Sequence, residues 1–127
     1  MKILVTGGAG FIASQIADAF INEGHDVFIL DNLATGFEKN VNPKATFIKK
    51  DIGDKSLSEL FEKEKFDVVN HHAAQMDVRR SVADPAFDAN TNIFLRQASI
   101  FRKVRGERLD AFHRQDNIPV HRILLRL

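Results

Sequence analysis

The sequence predicts an α/β fold built on a parallel sheet with flanking helices. Short apolar runs, rich in β-branched residues, alternate along the chain with segments of helical periodicity. These runs are apolar throughout, which is typical of strands that helices cover on both faces of a parallel sheet. A cluster of glycines also separates the first apolar run from the first helical pattern. Such a junction is typical of a strand that leads through a tight turn into a helix.

The apolar runs place the strands and their order. Right-handed crossovers between parallel strands predict the spatial order third, second, first, fourth. The four predicted strands are Ile3–Val5, Val27–Leu30, Thr46–Ile48 and Val68–Asn70.

Helical spacing predicts two clear helices between these strands. The helix after the glycines has an apolar face made of Ile12, Ile16, Ala19, Phe20 and Ile21. Gly24 stands at the position that caps its end. The second predicted helix lies at the surface and has apolar residues at Leu57, Leu60 and Phe61. Pro85 can begin a further helix.

The glycines between the first strand and the first helix form a recognisable pattern. Gly8-x-Gly10-x-x-Ala13 fits the G-x-G-x-x-G/A fingerprint of dinucleotide-binding loops. In such a loop we expect Gly8 to allow the tight turn and Gly10 to leave room for a pyrophosphate. Ala13 would let the helix lie close to the strand, and the helix N-terminus would attract the phosphates. The glycines by themselves fit an ordinary strand-to-helix turn equally well.

Asp31 strengthens the dinucleotide interpretation. It stands at the end of the second predicted strand, 21 residues after Gly10. An acidic residue at about this distance binds the adenosine ribose hydroxyls in dinucleotide-binding folds. Its carboxylate accepts both hydroxyl hydrogens but would repel a 2′-phosphate. The sequence therefore predicts a Rossmann-type site that prefers NAD to NADP.

Two segments carry a resemblance to a known family: Thr6-Gly-Gly-Ala-Gly-Phe-Ile-Ala13 and Gly24-His-Asp-Val-Phe-Ile-Leu-Asp-Asn-Leu33. They resemble the extended short-chain dehydrogenase/reductase family. Within it they look most like the NAD-dependent nucleotide-sugar epimerases and dehydratases of the UDP-glucose 4-epimerase type. The resemblance runs from Met1 to about Ile93, so it covers only the N-terminal part of such an enzyme.

The resemblance implies a set of NAD contacts. Asn32 and Thr35 would wrap the adenine ribose, although an ordinary loop explains Thr35 nearly as well. The Asp51 side chain would reach the adenine amino group, where the residues alone suggest a loop or cap residue. Small side chains at Ala73 and Ala74 would let the backbone approach the ribose and the nicotinamide. The full implied set is Gly7, Gly8, Gly10, Phe11, Ile12, Asp31, Asn32, Thr35, Gly36, Asp51, Ile52, Ala73, Ala74 and Gln75.

Beyond Ile93 the resemblance ends. Members of the family continue with a strand that carries an active-site Ser or Thr, a Tyr-x-x-x-Lys pair and a sugar-nucleotide domain. This chain has no tyrosine, and residues 94–127 hold seven arginines and a single lysine. We therefore expect an NAD-binding Rossmann half-domain over 1–93, and a divergent Arg-rich segment over 94–127. A frameshift, a fusion or a truncation would explain the change.

Four interpretations of function follow. The first is an NAD-binding fragment of a nucleotide-sugar epimerase, an enzyme that inverts the sugar C4 through a keto intermediate. Such a fragment would be inactive alone, because the tyrosine that acts as general base is missing. A fragment of a sugar-nucleotide dehydratase or reductase is the second, and a folded fragment without a ligand is the third. The fourth is a non-catalytic binder of nucleic acid or an acidic partner through the Arg-rich segment, which lacks any recognisable nucleic-acid motif.

Composition limits the remaining possibilities. The chain has 127 residues, enough for one domain, and a formal net charge of +1. It has no cysteine, which excludes disulfides and thiolate metal sites. His71 and His72 are adjacent and would point to opposite faces of a strand, so no metal site is predicted. With no apolar run near 18 residues and no signal peptide, we expect a cytoplasmic protein without membrane contact. The sequence is compatible with a homo-oligomer. A nucleotide-sugar substrate is expected only for a full-length relative.

Overall fold

The computed structural model of this chain describes residues 1–75, 77–89 and 91–92. The strands are β1 (Lys2–Thr6), β2 (Asp26–Asp31), β3 (Thr46–Lys49) and β4 (Val68–His71). The α-helices are α1 (Phe11–Asn22), α2 (Leu57–Glu64), α3 (Val78–Ala83) and α4 (Pro85–Ala89), with a short 3₁₀ helix at Glu38–Asn40. The expected segment over 94–127 lies outside the described residues.

All four strands are parallel and lie in the order β3-β2-β1-β4, which confirms the predicted topology. Each predicted strand is present, and each is longer than its predicted range by one or two residues. Because β1 is central, its last residues lie beside the ends of both neighbours: Thr6 pairs with Leu30 of β2 and with His71 of β4. The carboxyl ends of these three strands therefore meet at one edge of the sheet.

Two apolar layers cover the two faces of the sheet. One face packs against α2, in a cluster of Leu4, Phe28, Leu30, Leu57, Phe61, Phe66 and Val69. The other face packs against α1, in a cluster of Ile3, Val5, Ala13, Ala17, Val27 and Ile29. Successive strand residues alternate between the clusters because strand side chains point alternately to opposite faces. Apolar side chains therefore occupy consecutive positions in the middle of β1 and β2, as the continuous apolar runs indicate.

The buried face of α1 matches the predicted one towards the end of the helix but not at Ile12 and Ala19. Phe20 and Ile21 are partly buried and pack against the α1-side cluster, as predicted. Ile12 is 66% exposed and Ala19 is also exposed, whereas Ala13 and Ala17 are buried against β1 and β2. Since α1 leaves β1 after only four residues, its first turns lie close to the sheet, and small side chains are what fit there. At the start of α1, residue size rather than hydrophobicity therefore decides which side chains are buried.

The end of α1 is closed as predicted. Gly24 has a φ of +80°, the left-handed conformation that glycine adopts without steric cost. The N–H of Gly24 donates to the carbonyl of Ile21, and the N–H of His25 donates to that of Phe20, both at 3.0 Å. These two bonds form a Schellman motif, which turns the chain directly into β2.

An ion pair ties α2 to β1. The Lys2 Nζ lies 2.9 Å from Oε2 of Glu64, the last residue of α2. This hydrogen bond holds the pKa of Glu64 below its usual value and the pKa of Lys2 above it. Both groups are close to solvent, so we expect the pair to orient α2 more than to stabilise the fold.

Two short helices follow β4. The Asp77 side chain caps α3 by accepting the Arg79 N–H at 2.9 Å, and Pro85 is the first residue of α4, as the sequence predicted. The Arg80 guanidinium lies 4.0 Å from the centre of the Phe87 ring, which joins the two helices. Among the described residues, no helix has the length and apolar character needed to cross a membrane.

Candidate functional site

The turn between β1 and α1 is held by Gly7. Its φ is +70°, and its N–H donates to the Leu30 carbonyl of β2 at 2.7 Å. A Cβ placed on Gly7 would lie 2.8 Å from backbone atoms of His72 and Ala73, beyond the end of β4. Gly7 is therefore required both by its backbone conformation and by the close approach of a second segment. This contact brings the glycine loop against Ala73, a predicted site residue.

Gly8 has a different role from the one predicted. We expected Gly8 to make the tight turn, but the residue with the left-handed φ is Gly7. A Cβ on Gly8 would lie 2.7 Å from Cγ2 of Ile29 and 3.2 Å from the carbonyl of Val5. Ile29 is fully buried and β-branched, so its side chain cannot easily move away. Gly8 is thus required by packing, a distinction that neighbouring glycines in a sequence do not reveal.

Gly10 differs from Gly7, Gly8 and Gly36 because neither its backbone conformation nor close packing requires a glycine there. Its φ of −74° is open to any residue, and a Cβ would have one close neighbour, the Gly7 carbonyl at 3.1 Å. Gly10 is the N-cap of α1, yet no side chain of the described residues caps this helix, and its first turn holds no acidic residue. The N–H groups of Phe11 and Ile12 follow, on residues that are 84% and 66% exposed. A space that a Cβ would fill, beside uncapped helix N–H groups, fits a pyrophosphate.

Asp31 lies at the end of β2, beside the glycine loop, and is only 8% exposed. One carboxylate oxygen accepts the Ala9 N–H at 3.0 Å, and the other accepts the Leu33 N–H at 2.7 Å. The second bond helps to hold Leu33 at a φ of +59°, which is unusual for a residue other than glycine. Each oxygen keeps a further acceptor position, so a ribose hydroxyl can still be bound. The sequence analysis did not predict the hydrogen bond between the Ala9 N–H and Asp31.

A second group lies where β2 and β3 end. The Asn32 Nδ2 donates to Oδ2 of Asp51 at 2.8 Å, and the Gly53 N–H donates to the other Asp51 oxygen. Ile52 is half-buried and packs against the α2-side core, while Thr35 is exposed. The structure thus joins Asn32 to Asp51, which the sequence had predicted only as separate contacts.

Gly36 contacts the glycine loop directly. A Cβ on Gly36 would lie 2.9 Å from the carbonyl carbon and the Cβ of Ala9, so a larger residue would push the loop away. Ala9 itself is fully buried. The segment that follows Asp31 is therefore packed against the segment that precedes α1.

The segment after β4 supplies the last predicted residues. Ala73 and Gln75 are half-buried and Ala74 is exposed. The Gln75 N–H donates to Oδ1 of Asn92 at 2.8 Å, and the Asn92 Nδ2 donates back to the Gln75 carbonyl at 3.0 Å. Asn92, which the sequence analysis did not single out, fixes the backbone of this segment.

Thr6 is a buried polar residue under the glycine loop. Its Oγ1 lies 2.6 Å from Nδ1 of His71, and it also lies 3.3 Å from the His72 N–H. Burial lowers the pKa of His72, which favours the neutral imidazole. Within the described residues, no group of His, Asp and Glu side chains is arranged to hold a metal ion. The polar atoms here connect β1 to β4 rather than form a second site.

Comparison with known proteins shows the family and the fold. Residues 3–109 match the model of the NAD dependent epimerase/dehydratase family, so the match extends past Ile93. The chain is 44% identical over 98 residues to the UDP-glucose 4-epimerase of Mycolicibacterium smegmatis, covering 73% of this chain and 31% of that protein. It spans about 30% of the length of the curated relatives it matches.

Two crystal structures show the same fold. The UDP-glucose 4-epimerase of Thermotoga maritima, solved with UDP-glucose, is 44% identical with a TM-score of 0.72. The enzyme of Thermus thermophilus, solved in complex with NAD, is 42% identical with a TM-score of 0.70. Both alignments cover 75% of this chain and 31% of the other.

The two fingerprint glycines should respond differently to an added methyl group. We expect Gly8→Ala to lower the free energy of unfolding by about 1–3 kcal/mol, because the methyl group would overlap Ile29. Gly10→Ala should cost less than about 1 kcal/mol, since its φ is already allowed and it meets only one carbonyl at 3.1 Å. Urea unfolding of the two variants and the parent chain measures this difference. Equal losses would contradict the separate roles given to the two glycines.

Proposed function

We propose that this chain, which belongs to the NAD dependent epimerase/dehydratase family, binds NAD and is the cofactor-binding part of a nucleotide-sugar epimerase. The observation that most supports the proposal is the start of α1. There Gly10 leaves room in front of uncapped helix N–H groups, and the buried Asp31 carboxylate lies beside the same loop. An adenosine diphosphate has the two matching groups, a pyrophosphate and a ribose with two hydroxyls. The relative from Thermus thermophilus, solved with NAD, has the same fold.

The pyrophosphate is proposed to lie against the glycine loop. Gly7 and Gly8 set the path of the backbone, and Gly10 leaves the space that the phosphates would occupy. The N–H groups of Phe11 and Ile12 would donate to phosphate oxygens, with the positive end of the helix dipole behind them. No acidic residue in the first turn of α1 opposes this charge.

The adenosine is proposed to lie over the ends of β2 and β3. Asp31 would accept the ribose hydroxyls, with Asn32, Thr35 and Gly36 lining the same side. Asp51, already joined to Asn32, would accept a hydrogen of the adenine amino group, and Ile52 would lie behind it. Each of these carboxylate oxygens keeps acceptor capacity beyond the bonds it makes within the chain.

The nicotinamide side is proposed to lie over the segment after β4. Ala73 and Ala74 present small side chains there, and the bonds between Gln75 and Asn92 hold the backbone of this segment in place. NAD supplies a hydride acceptor when it is bound. The chain has no tyrosine to take the sugar hydroxyl proton, so we propose that it is inactive alone. A cytoplasmic location is part of the same proposal.

The proposal is tested by titration of the full 127-residue chain with NAD, ADP-ribose, NADP and a short DNA duplex. We expect NAD and ADP-ribose to bind with similar affinity and NADP to bind much more weakly. The duplex arm tests binding through the Arg-rich segment. Isothermal titration calorimetry measures all four ligands. Absence of heat with both NAD and ADP-ribose would overturn the proposed function, and duplex binding alone would favour the nucleic-acid alternative.

Asp31 should control both affinity and the choice of cofactor. We expect Asp31→Ala to weaken NAD binding by about tenfold or more, because it removes a charged acceptor from the ribose and also releases the Ala9 N–H. The affinity for NADP should fall by less, so the difference between the affinities for NAD and NADP should become smaller. Asp54→Ala is the matched control, since it removes an exposed carboxylate that contacts Ser56. Equal affinity of the parent chain for NAD and NADP would rule out the role proposed for Asp31.

The chain alone should not epimerise a nucleotide sugar. Proton removal and charge stabilisation need groups placed at the reacting carbon. In the family these are the Ser or Thr and the Tyr-x-x-x-Lys pair, and the sequence analysis identified no matching residues in this chain. The chain is incubated with NAD and UDP-galactose, and UDP-glucose is followed by a coupled assay with a full-length epimerase as the positive control. Turnover that copurifies with the chain and disappears in Gly10→Val would show that its catalytic groups were misjudged.

A further inference from the structure

We propose that Asn40 is a positioning residue for the pyrophosphate, acting through the peptide bond between Ala9 and Gly10. This inference rests on the function proposed above. The Asn40 Nδ2 donates a hydrogen bond of 2.9 Å to the carbonyl of Ala9, a residue 31 positions earlier in the chain. Asn40 belongs to the short 3₁₀ helix after β2 and is half-buried. It has no place in the fingerprint of the dinucleotide loop.

The peptide that Asn40 contacts is held at both ends. Its carbonyl, on Ala9, also accepts the Phe37 N–H at 3.1 Å, and its N–H, on Gly10, donates to the Gly7 carbonyl at 3.0 Å. The preceding N–H, on Ala9, is bound by the Asp31 carboxylate. The Ala9–Gly10 peptide plane is therefore oriented by the segment of Phe37 and Asn40 on one side and by Gly7 on the other, and Asp31 fixes the peptide before it.

The orientation of this peptide matters because α1 begins immediately after it. The Gly10 carbonyl accepts the first bond of the helix, from the Ser14 N–H at 3.0 Å. A rotation of the Ala9–Gly10 peptide would therefore turn the Gly10 Cα and the N–H groups that follow it. These are the groups proposed to meet the pyrophosphate. A loop that is already fixed binds its ligand without a further loss of conformational entropy.

Asn40 is suited to positioning because the fold does not depend on its bond. The Phe37 N–H already satisfies the Ala9 carbonyl, so removal of Asn40 leaves no buried acceptor without a partner. A second donor on the same carbonyl restricts the direction of the peptide plane. We therefore expect loss of Asn40 to reduce the affinity for phosphate-containing ligands more than it reduces the stability of the chain.

Asn40→Ala is compared with Asn42→Ala in the full chain. Asn42 is a matched control, because its side chain also joins this region to α1, through Asp18 at 2.7 Å, without touching the glycine loop. ADP-ribose affinity is measured by calorimetry and adenosine affinity by ligand-observed NMR. We expect Asn40→Ala to weaken ADP-ribose about three- to tenfold, the loss typical of one hydrogen bond. The affinity of Asn40→Ala for adenosine should change less than about twofold. The affinities of Asn42→Ala for ADP-ribose and for adenosine should also change less than about twofold.

Asn40→Asp supplies a readout that a purely structural role would not give. At pH 7.5 the introduced carboxylate would face the Ala9 carbonyl as a second acceptor, so we expect ADP-ribose to bind more weakly than in Asn40→Ala. When the carboxyl is protonated it can donate, and its position beside a carbonyl raises its pKa above the usual range. The affinity relative to the parent chain at the same pH should therefore recover as the pH falls from 7.5 to 5.

The outcomes separate this inference from the function on which it rests. If the parent chain does not bind ADP-ribose, the proposed function fails. If the parent chain binds ADP-ribose, two results would overturn the positioning role. One is an ADP-ribose affinity of Asn40→Ala equal to that of Asn42→Ala. The other is an equal loss of affinity for adenosine and for ADP-ribose in Asn40→Ala. Failure of both Asn40 variants to fold would also overturn it, because Asn40 would then be required by the fold.

Discussion

The hydrogen bonds around the Ala9–Gly10 peptide are the constraint on which the rest of this edge depends. Parallel strands bring their carboxyl ends to one edge, and the order β3-β2-β1-β4 places the β1 loop between the segments that follow β2 and β4. The loop is consequently held from both sides, by Asp31 and Asn40 on one and by the backbone at Ala73 on the other. A displacement of either neighbouring segment would change the direction in which α1 begins.

The glycines around this peptide show how structural and functional requirements can be distinguished. Gly7 is explained by its left-handed φ, and Gly8 and Gly36 by the atoms that a Cβ would strike within 3 Å. These requirements belong to the fold and would exist without any ligand. Gly10 has an ordinary φ and one moderately close neighbour, so the protein itself accounts for it poorly. Among these four glycines, Gly10 is the one whose presence the fold does not require, which is why the proposed pyrophosphate is placed beside it.

The sequence predicted the fold well because the relevant signals are local. Continuous apolar runs placed β1 to β4, and the handedness of crossovers fixed their order. The start of the buried face of α1 was predicted wrongly, because the helix lies close to the sheet there and buries the small Ala13 and Ala17 rather than the larger Ile12. The bonds from Asp31 and Asn40 to Ala9 join residues 22 and 31 positions apart. No periodicity or spacing rule reports a side chain that binds a distant backbone group.

The distribution of these bonds explains how cofactor binding could persist without catalysis. The groups proposed to hold the adenosine diphosphate come from the ends of β2 and β3, the loops after β1, β2 and β3, and the start of α1, and Asp31 and Asp51 among them are held by bonds within the described residues. Transition-state stabilisation requires further groups aimed at the reacting carbon of a sugar, and the sequence offers no tyrosine for that position. The proposed cofactor affinity and the family's catalysis would then depend on different groups. Because the glycine loop is fixed by contacts within the described residues, its conformation does not depend on residues outside them.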